Sequence, residues 1–561
     1  MIKHETLIER TFADNGFKPR EKQVQIVSDI VDLYMNGKKY VVLSASTGIG
    51  KSLISLVVSE VLYKLKHESE KENKKHSYIV AHTNTLLEQY KESFEESFDV
   101  LVVKGASNYE CLTMKSTAED CISGKFQAYP GVMNKCGGCE FIDMKARMAK
   151  TEHMCTNYAY IFTSNFYSDH LSERLLTVYD EAHLMNDIFV DFMKISVSAV
   201  TLKKYIYDCS ADNIFDEAEE IYEDILDAFE NENVRQDNYM QILKDLLDAY
   251  VMSNEGFAEL ADRELNSRNY TGYSLYKKQG KKYTHLIAKI NSLFELNYEH
   301  VVDIKEKEML VSTIFMLDLF KHIENSECSL FMSATVDKEY ISTTLGIDAD
   351  VIGFVDGGNI FNPENKTAID CQMQGFNYTK LQSPEFVDDV CAYLNDIVAD
   401  YYDEKGVILV TSFKQLQDVK KRLNTYIKKK KLKIKVFTQS KEKGLKDILL
   451  EFKNYKEPSV LISPSLFEGI SLDDDYCRYI IFFKAPYYSL GDKRIKYILN
   501  KYPEIYEKLA VYRMVQGSGR AVRNVDDWCD TYFLDGNLNR LFNSKHNLWK
   551  KEFKRYKRKG M

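Results

Sequence analysis

Two short segments carry side chains suited to phosphate chemistry: Ala45-Ser-Thr-Gly-Ile-Gly-Lys-Ser52 and Asp180-Glu-Ala-His183. In the first, Gly48 and Gly50, with Thr47 beside them, let backbone N–H groups turn inward around phosphate oxygens, and a following helix N-terminus adds its dipole. Lys51 supplies a point charge for the β- and γ-phosphates, and Ser52 a hydroxyl ligand for Mg²⁺. Ala45 stands where such a loop usually opens with Gly. In the second, Asp180 completes the Mg²⁺ shell and Glu181 orients and deprotonates an attacking water. A third segment, Gln516-Gly-Ser-Gly-Arg-Ala-Val-Arg523, sets Arg520 and Arg523 three apart on one helical face, as cations for γ-phosphate charge. Each motif has a plain reading (a glycine turn, surface acids, a salt-bridged arginine pair). Their context along one chain favours a single hydrolytic site.

The elements that must hold these residues are short buried strands. Tyr40-Val-Val-Leu-Ser44 precedes the glycine loop and Leu175-Leu-Thr-Val-Tyr179 precedes Asp180. Similar runs are Tyr78-Ile-Val-Ala81, Leu330-Phe-Met332, Val407-Ile-Leu-Val410, Val460-Leu-Ile462, Tyr479-Ile-Ile-Phe-Phe483 and Thr531-Tyr-Phe-Leu534. Alternation with helical patterns predicts parallel sheets covered on both faces, binding ligands at the carboxyl ends of their strands. The strands cluster before about residue 335 and after about 400, which predicts two α/β domains. Residues 190–325 interrupt the first cluster; Ile221, Ile225, Leu226 and Phe229 at helical spacing predict a helical insertion. The Lys/Glu/His run 64–76 reads as a solvated loop or helix end, and 428–435 as an exposed helix end and strand start, with a basic patch on nucleic acid as the alternative.

The chain of 561 residues has a net charge of −9, 28% charged residues and eight prolines, which excludes a disordered or collagenous protein. The deficit is local. Residues 211–250 hold thirteen acids against two bases, and residues 545–561 hold eight bases against one acid, so the remainder is near neutral. The balance therefore leaves a nucleic-acid partner open. The acidic stretch reads as a solvated helix face. No stretch approaches eighteen apolar residues, and no secretion signal is found, so a cytoplasmic protein with no membrane contact is expected.

Five of the eleven cysteines (Cys111, Cys121, Cys136, Cys139 and Cys155) fall within 45 residues. In a reducing compartment this predicts a metal site rather than disulfides. Cys136-Gly-Gly-Cys139 is the one tight chelating pair, and the spacing alone accommodates either zinc or an iron–sulfur cluster.

In this order the motifs resemble those of superfamily 2 helicases, specifically the iron–sulfur branch of XPD/DinG type, over most of the chain. Arg20-Glu-Lys-Gln23 looks like the branch's element near the adenine site. Thr83-Asn-Thr-Leu-Leu-Glu-Gln89 looks like motif Ia, which in the family touches the nucleic-acid backbone. Ser333-Ala-Thr335 resembles the motif coupling hydrolysis to movement, Val407–Phe413 motif IV, and Ser465-Leu-Phe-Glu-Gly-Ile-Ser471 motif V, with Glu468 and Gly469 at the nucleotide. Ser471 stands where the family often has Asp, and Asp535-Gly-Asn537 matches the terminal Asp-x-Arg element only loosely.

The resemblance implies an α/β fold with two tandem RecA-like domains holding ATP and Mg²⁺ in their cleft, with Gln516, Arg520 and Arg523 at the nucleotide. It divides the chain into RecA-like domain 1 (1–104, 156–189 and 326–340), a cluster insertion (105–155), a helical arch (190–325) and RecA-like domain 2 with a basic tail (341–561). It places an iron–sulfur domain where the cysteines lie, with Cys111, Cys121, Cys136 and Cys139 holding a 4Fe–4S cluster, zinc being the alternative. Cys155, beside a segment resembling the family core, is expected to be a buried thiol. The implied activity is ATP-dependent 5′→3′ movement on single-stranded DNA and unwinding of tailed or forked duplexes; the alternative is an ATP-switched clamp. A monomer, nucleoid-associated in a bacterial or viral setting, is expected. With the Arg20 element so near the start, no nuclease activity from a preceding domain is expected.

Overall fold

The computed structural model describes residues 4–46, 48–66, 75–111, 116–120, 138–167, 171–211, 216–358, 365–439, 443–464, 472, 474–519, 521–522, 527–538, 541, 553 and 555–558. The chain divides into two compact units. One comprises residues 1–43, 52–332 and 337–355; the other comprises 44–51, 333–336 and 356–561.

The first unit is built on a seven-stranded sheet. Its strand order is Ile352–Gly358, Tyr40–Ala45, Ser326–Ser333, Arg174–Asp180, Ser77–Ala81, His153–Asn157 and Val100–Val102. The last five run parallel, with Val178 opposite both Leu330 and Ile79. Burial on both faces explains the composition: Val41, Val42, Leu43, Ile79, Val80, Leu176 and Val178 are all fully buried. Three strands of this sheet, Val100–Val102, His153–Asn157 and Ile352–Gly358, are additional to the runs read from the sequence.

Residues 199–296 add four long helices: Ala199–Ser210, Asp216–Glu230, Tyr239–Asn266 and Tyr270–Leu296. On Asp216–Glu230, Ala218, Tyr222, Ile225 and Phe229 point inward, while Asp216, Glu217, Glu220, Glu223, Asp224, Asp227 and Glu230 are exposed. The acidic stretch is thus a solvated face. The rings of Tyr205, Tyr222, Tyr250 and Tyr283 pack at 5.3–6.1 Å and fill the interior of this helical group. The insertion is not wholly helical. Ile195–Ser198, Glu308–Thr313 and His300–Lys305 form a three-stranded antiparallel sheet in that order.

The second unit contains another seven-stranded sheet, in the order Lys435–Thr438, Ser459–Ser463, Lys405–Leu409, Tyr479–Phe482, Cys529–Phe533, Lys366–Asp370 and Arg555–Arg558. Every neighbouring pair is parallel. Its two faces carry separate cores, one around Leu409, Phe482, Met514 and Phe533, the other around Val390, Ile408, Leu423 and Ile481. Among the described residues, no helix is long and apolar enough to cross a membrane.

Candidate nucleotide-hydrolysis site

The strand Tyr40–Ala45 feeds a loop whose Gly48 and Gly50 have φ of 85° and 87°. Side chains are rarely tolerated there, which explains both glycines. The helix Lys51–Lys66 starts directly after the loop and points its N-terminal amides back at it. Lys51 Nζ donates to the carbonyls of Ala45, at 3.1 Å, and Ser46, at 3.5 Å, so the ammonium is held over its own loop. Ser52 opens the first turn of the same helix. Thr47 lies outside the described residues.

Asp180 is the last residue of its strand and is 7% exposed. Tyr90 Oη donates to Asp180 Oδ2 at 3.4 Å, and Tyr158 Oη to the Asp180 carbonyl at 2.8 Å. One phenol therefore orients the carboxylate read as a Mg²⁺ ligand. Burial holds the Tyr90 phenol well above its ordinary value, so it stays a neutral donor.

Glu181 adopts a left-handed backbone, φ 51°, a conformation that costs a non-glycine residue about 1–2 kcal/mol. Its amide donates to Asp180 Oδ1 at 3.0 Å. Its carboxylate, 31% exposed, lies 3.4 Å from His183 Nδ1, and the His183 carbonyl accepts from Tyr340 Oη at 3.0 Å. The turn thus separates a buried carboxylate from a more exposed one. Tyr90, Tyr158 and Tyr340 escape sequence reasoning, because a lone tyrosine has no diagnostic spacing.

Of the remaining positions, Gln23 Oε1 accepts from the Arg20 amide at 2.9 Å, a capping interaction at the start of the helix Glu21–Met35. Thr83 caps the helix Asn84–Phe94 by accepting from the Leu86 amide. Ser333 and Thr335 are fully buried, and the Thr335 amide donates to Ser333 Oγ at 3.2 Å. Gln516 is half-buried near the end of the helix Pro503–Ser518. Arg520, Arg523, Glu468, Gly469 and Ser471 lie outside the described residues, as do Cys121 and Cys136.

Cys111, buried, ends a two-residue strand paired with Ser116–Thr117, and Cys139, half-buried, precedes the helix Glu140–Met148. Cys155 sits in mid-strand, fully buried, its thiol pushed up to about 12 by burial. That environment suits packing rather than a thiolate ligand.

A second feature lies on the helix Tyr270–Leu296. Lys278, Lys281, Lys282, His285 and Lys289, with Tyr205 and Glu119, line a cavity of about 390 Å³. Burial draws Lys282 and Lys289 down to about 8. Burial, with Lys281 and Lys289 nearby, draws His285 down to about 4.

Residues 16–206 match the family described as type III restriction enzyme, res subunit, and residues 397–554 match the helicase C-terminal domain. The ATP-dependent DNA helicase XPD of Sulfolobus acidocaldarius is 21% identical, over 96% of this chain and 98% of that protein. A solved XPD helicase superposes with a TM-score of 0.62 at 18% identity, over 97% of this chain and 100% of that one. The S. tokodaii Xpd4 structure gives 0.59 at 15%, over 96% and 100%. Along almost its whole length the chain is similar to helicases of XPD type. Its two parallel sheets are RecA-like folds. The glycine loop's opening residue, Ala45, is 1% exposed, so its methyl group packs inside.

Proposed function

We propose that the protein is a DNA helicase that moves 5′→3′ along single-stranded DNA and couples ATP hydrolysis to the separation of tailed or forked duplexes. The observation that carries this reading is the presence in one chain of a glycine loop built for phosphate and of a buried Asp180 beside a more exposed Glu181, in a chain similar to XPD over 96% of its length. Lys51, the loop amides and the helix N-terminus hold the triphosphate of the substrate. Ser52 and Asp180 hold Mg²⁺, which when bound neutralises phosphate charge. Glu181 takes the proton of the attacking water, and Gln516, Arg520 and Arg523 serve the γ-phosphate. Arg20 and Gln23 lie by the adenine, and Glu468 and Gly469 by the nucleotide.

Cys111, Cys121, Cys136 and Cys139 hold a 4Fe–4S cluster that stabilises the insertion around it. The two described members of the set flank the stretch that carries the other two, which fits shared ligation. The cationic cavity on the helix Tyr270–Leu296 suits the phosphates of a strand, and such contacts are tolerant of sequence.

The test is strand separation on 5′-tailed and 3′-tailed duplexes, with ATP hydrolysis measured in parallel, for the wild type and Lys51→Ala. Separation of the 5′-tailed duplex alone, lost in Lys51→Ala with DNA binding kept, is expected. DNA-stimulated hydrolysis without strand separation points instead to an ATP-switched clamp. Glu181→Gln is expected to lose about 10²- to 10⁴-fold in turnover while still binding ATP and DNA.

A further inference from the structure

The strands Ser77–Ala81 and Arg174–Asp180 run parallel, with Ser77 opposite Leu176, so Ser77 starts at the sheet edge opposite the one that carries Asp180. At that edge four side chains with metal-ligating atoms converge: Glu60, His76, Glu152 and His153. Their ligating atoms all lie within 4.8 Å of one another. Glu60 Oε1 is 2.8 Å from His76 Nδ1 and 3.0 Å from His153 Nε2. The remaining nitrogen of His153, Nδ1, is 2.9 Å from Ser77 Oγ. His76 is 4% exposed and His153 fully buried. Lys64 Nζ, 3.9 Å from Glu60 Oε2, is part-exposed and also donates to Thr11 Oγ1 at 3.3 Å.

The backbone under these side chains is fixed. The amides of His76 and Ser77 both donate to the Glu152 carbonyl, at 3.0 and 3.1 Å, and the His153 amide donates to the Asp99 carbonyl at 3.0 Å. Arg174, 1% exposed, donates to the carbonyls of Met148, Thr151 and Glu152 at 2.7–3.0 Å and so locks the turn that presents Glu152.

Two imidazoles and two carboxylates form a four-member donor set of the kind that zinc accepts. Zinc–ligand bonds of about 2.0–2.2 Å place the ligands of a tetrahedral site roughly 3.3–3.6 Å apart. The separations on hand, from 2.8 Å up to the 4.8 Å limit, span that value. Ser77 Oγ stands where a ligating histidine usually finds the outer partner that fixes its tautomer and ring plane. We propose that Glu60, His76, Glu152 and His153 form a structural zinc site that staples the phosphate-site helix Lys51–Lys66 to the sheet. The ion is separate from any metal held by the cysteines.

The test is titration of the full-length protein with Co²⁺, followed by absorption, together with thermal unfolding in the presence and absence of Zn²⁺. Tetrahedral d–d bands without thiolate-to-cobalt charge transfer, one equivalent per chain, and a higher Tm with Zn²⁺ are expected. His76→Gln is expected to lose both responses, and Ser77→Ala to weaken binding about 10- to 100-fold. If His76→Gln does not fold, Glu152→Gln, at the half-exposed rim, is the variant to use, with weakened cobalt binding in soluble protein as the expected result. Absence of the d–d bands, or bands that persist undiminished in the folded variants, overturns the proposal.

Discussion

Tyr90 donates its phenolic hydrogen to Asp180 Oδ2 across 3.4 Å of buried interior. A carboxylate at the end of the strand Arg174–Asp180 is thereby oriented by a phenol from the helix Asn84–Phe94. Tyr90→Phe keeps the ring in its packing with Phe94, at 5.9 Å, and removes only the hydroxyl. Because outer partners of metal ligands typically affect affinity 10- to 100-fold, the variant is expected to need about that much more Mg²⁺ for half-maximal ATP hydrolysis. An unchanged Mg²⁺ dependence at unchanged Tm excludes this role for Tyr90.

The cysteines divide by environment. Cys155 is sealed inside the sheet with its thiol pushed up to about 12, whereas Cys139 is half-buried just ahead of a helix. Cys139→Ser and Cys111→Ser are expected to lose bound iron and sulfide; Cys155→Ala is expected to retain both and to lose about 1 kcal/mol of stability. Iron and sulfide analysis of anaerobically purified protein decides the matter. Zinc in place of iron in the wild type would leave the ligands and change the metal.

How far the sequence reveals these features depends on whether a local pattern encodes them. Tyr40–Ala45 and the run 175–179 inside Arg174–Asp180 are legible because both faces are covered, so nearly every residue is apolar. His153–Asn157 is equally buried but carries polar groups satisfied from other segments. His153 meets Glu60, Thr156 Oγ1 donates to the Val103 carbonyl at 2.8 Å, and Asn157 donates to Asn84 at 2.9 Å. Without those partners the pentapeptide reads as a loop. Gly48, Gly50, Lys51, Asp180 and Glu181 are legible because phosphate chemistry dictates their spacing. The Tyr90 contact arises only once a separate helix is packed. The antiparallel strands at the root of the insertion are short, and the long helical patterns beside them dominate the segment.

The lysines on Tyr270–Leu296 give a pH prediction. Lys282 and Lys289 lose their protons near pH 8 in the folded chain and near the ordinary value of 10.5 in the unfolded one. The cost of burying them as cations is present in full below pH 8 and fades as pH rises towards 10.5. The helical insertion is therefore expected to gain stability across that window, and Lys282→Met to flatten the gain. Hydrogen exchange of residues 270–296 as a function of pH is the measurement. For DNA, removing one of these cations is expected to reduce the salt slope of single-strand binding by about 0.7.

In the second unit, Asp535 gathers three backbone amides, those of Phe376 at 2.8 Å, Ala485 at 3.0 Å and Asn537 at 3.0 Å. Gly536 sits in the same turn, where a Cβ would stand 2.2 Å from the Met373 carbonyl oxygen and 2.9 Å from the Gly375 amide nitrogen. These neighbours are backbone and cannot swing aside. Gly536→Ala is expected to destabilise this unit by about 2–3 kcal/mol, read as a lower denaturant midpoint. A neutral result would show that the turn relaxes freely.

The small antiparallel sheet has a consequence for engineering and for descent. Ser198, from which the long helices depart, is the direct ladder partner of Glu308, and the Ala199 amide donates to the Lys307 carbonyl at 3.0 Å. The two ends of roughly a hundred residues are thus already side by side. Joining Ser198 to Glu308 through a two-residue Asn-Gly hairpin needs little loop-closure entropy and preserves the strand register. The helical group is a cassette with its own docking strip, which recombination could replace or delete while the catalytic sheet is left uncut.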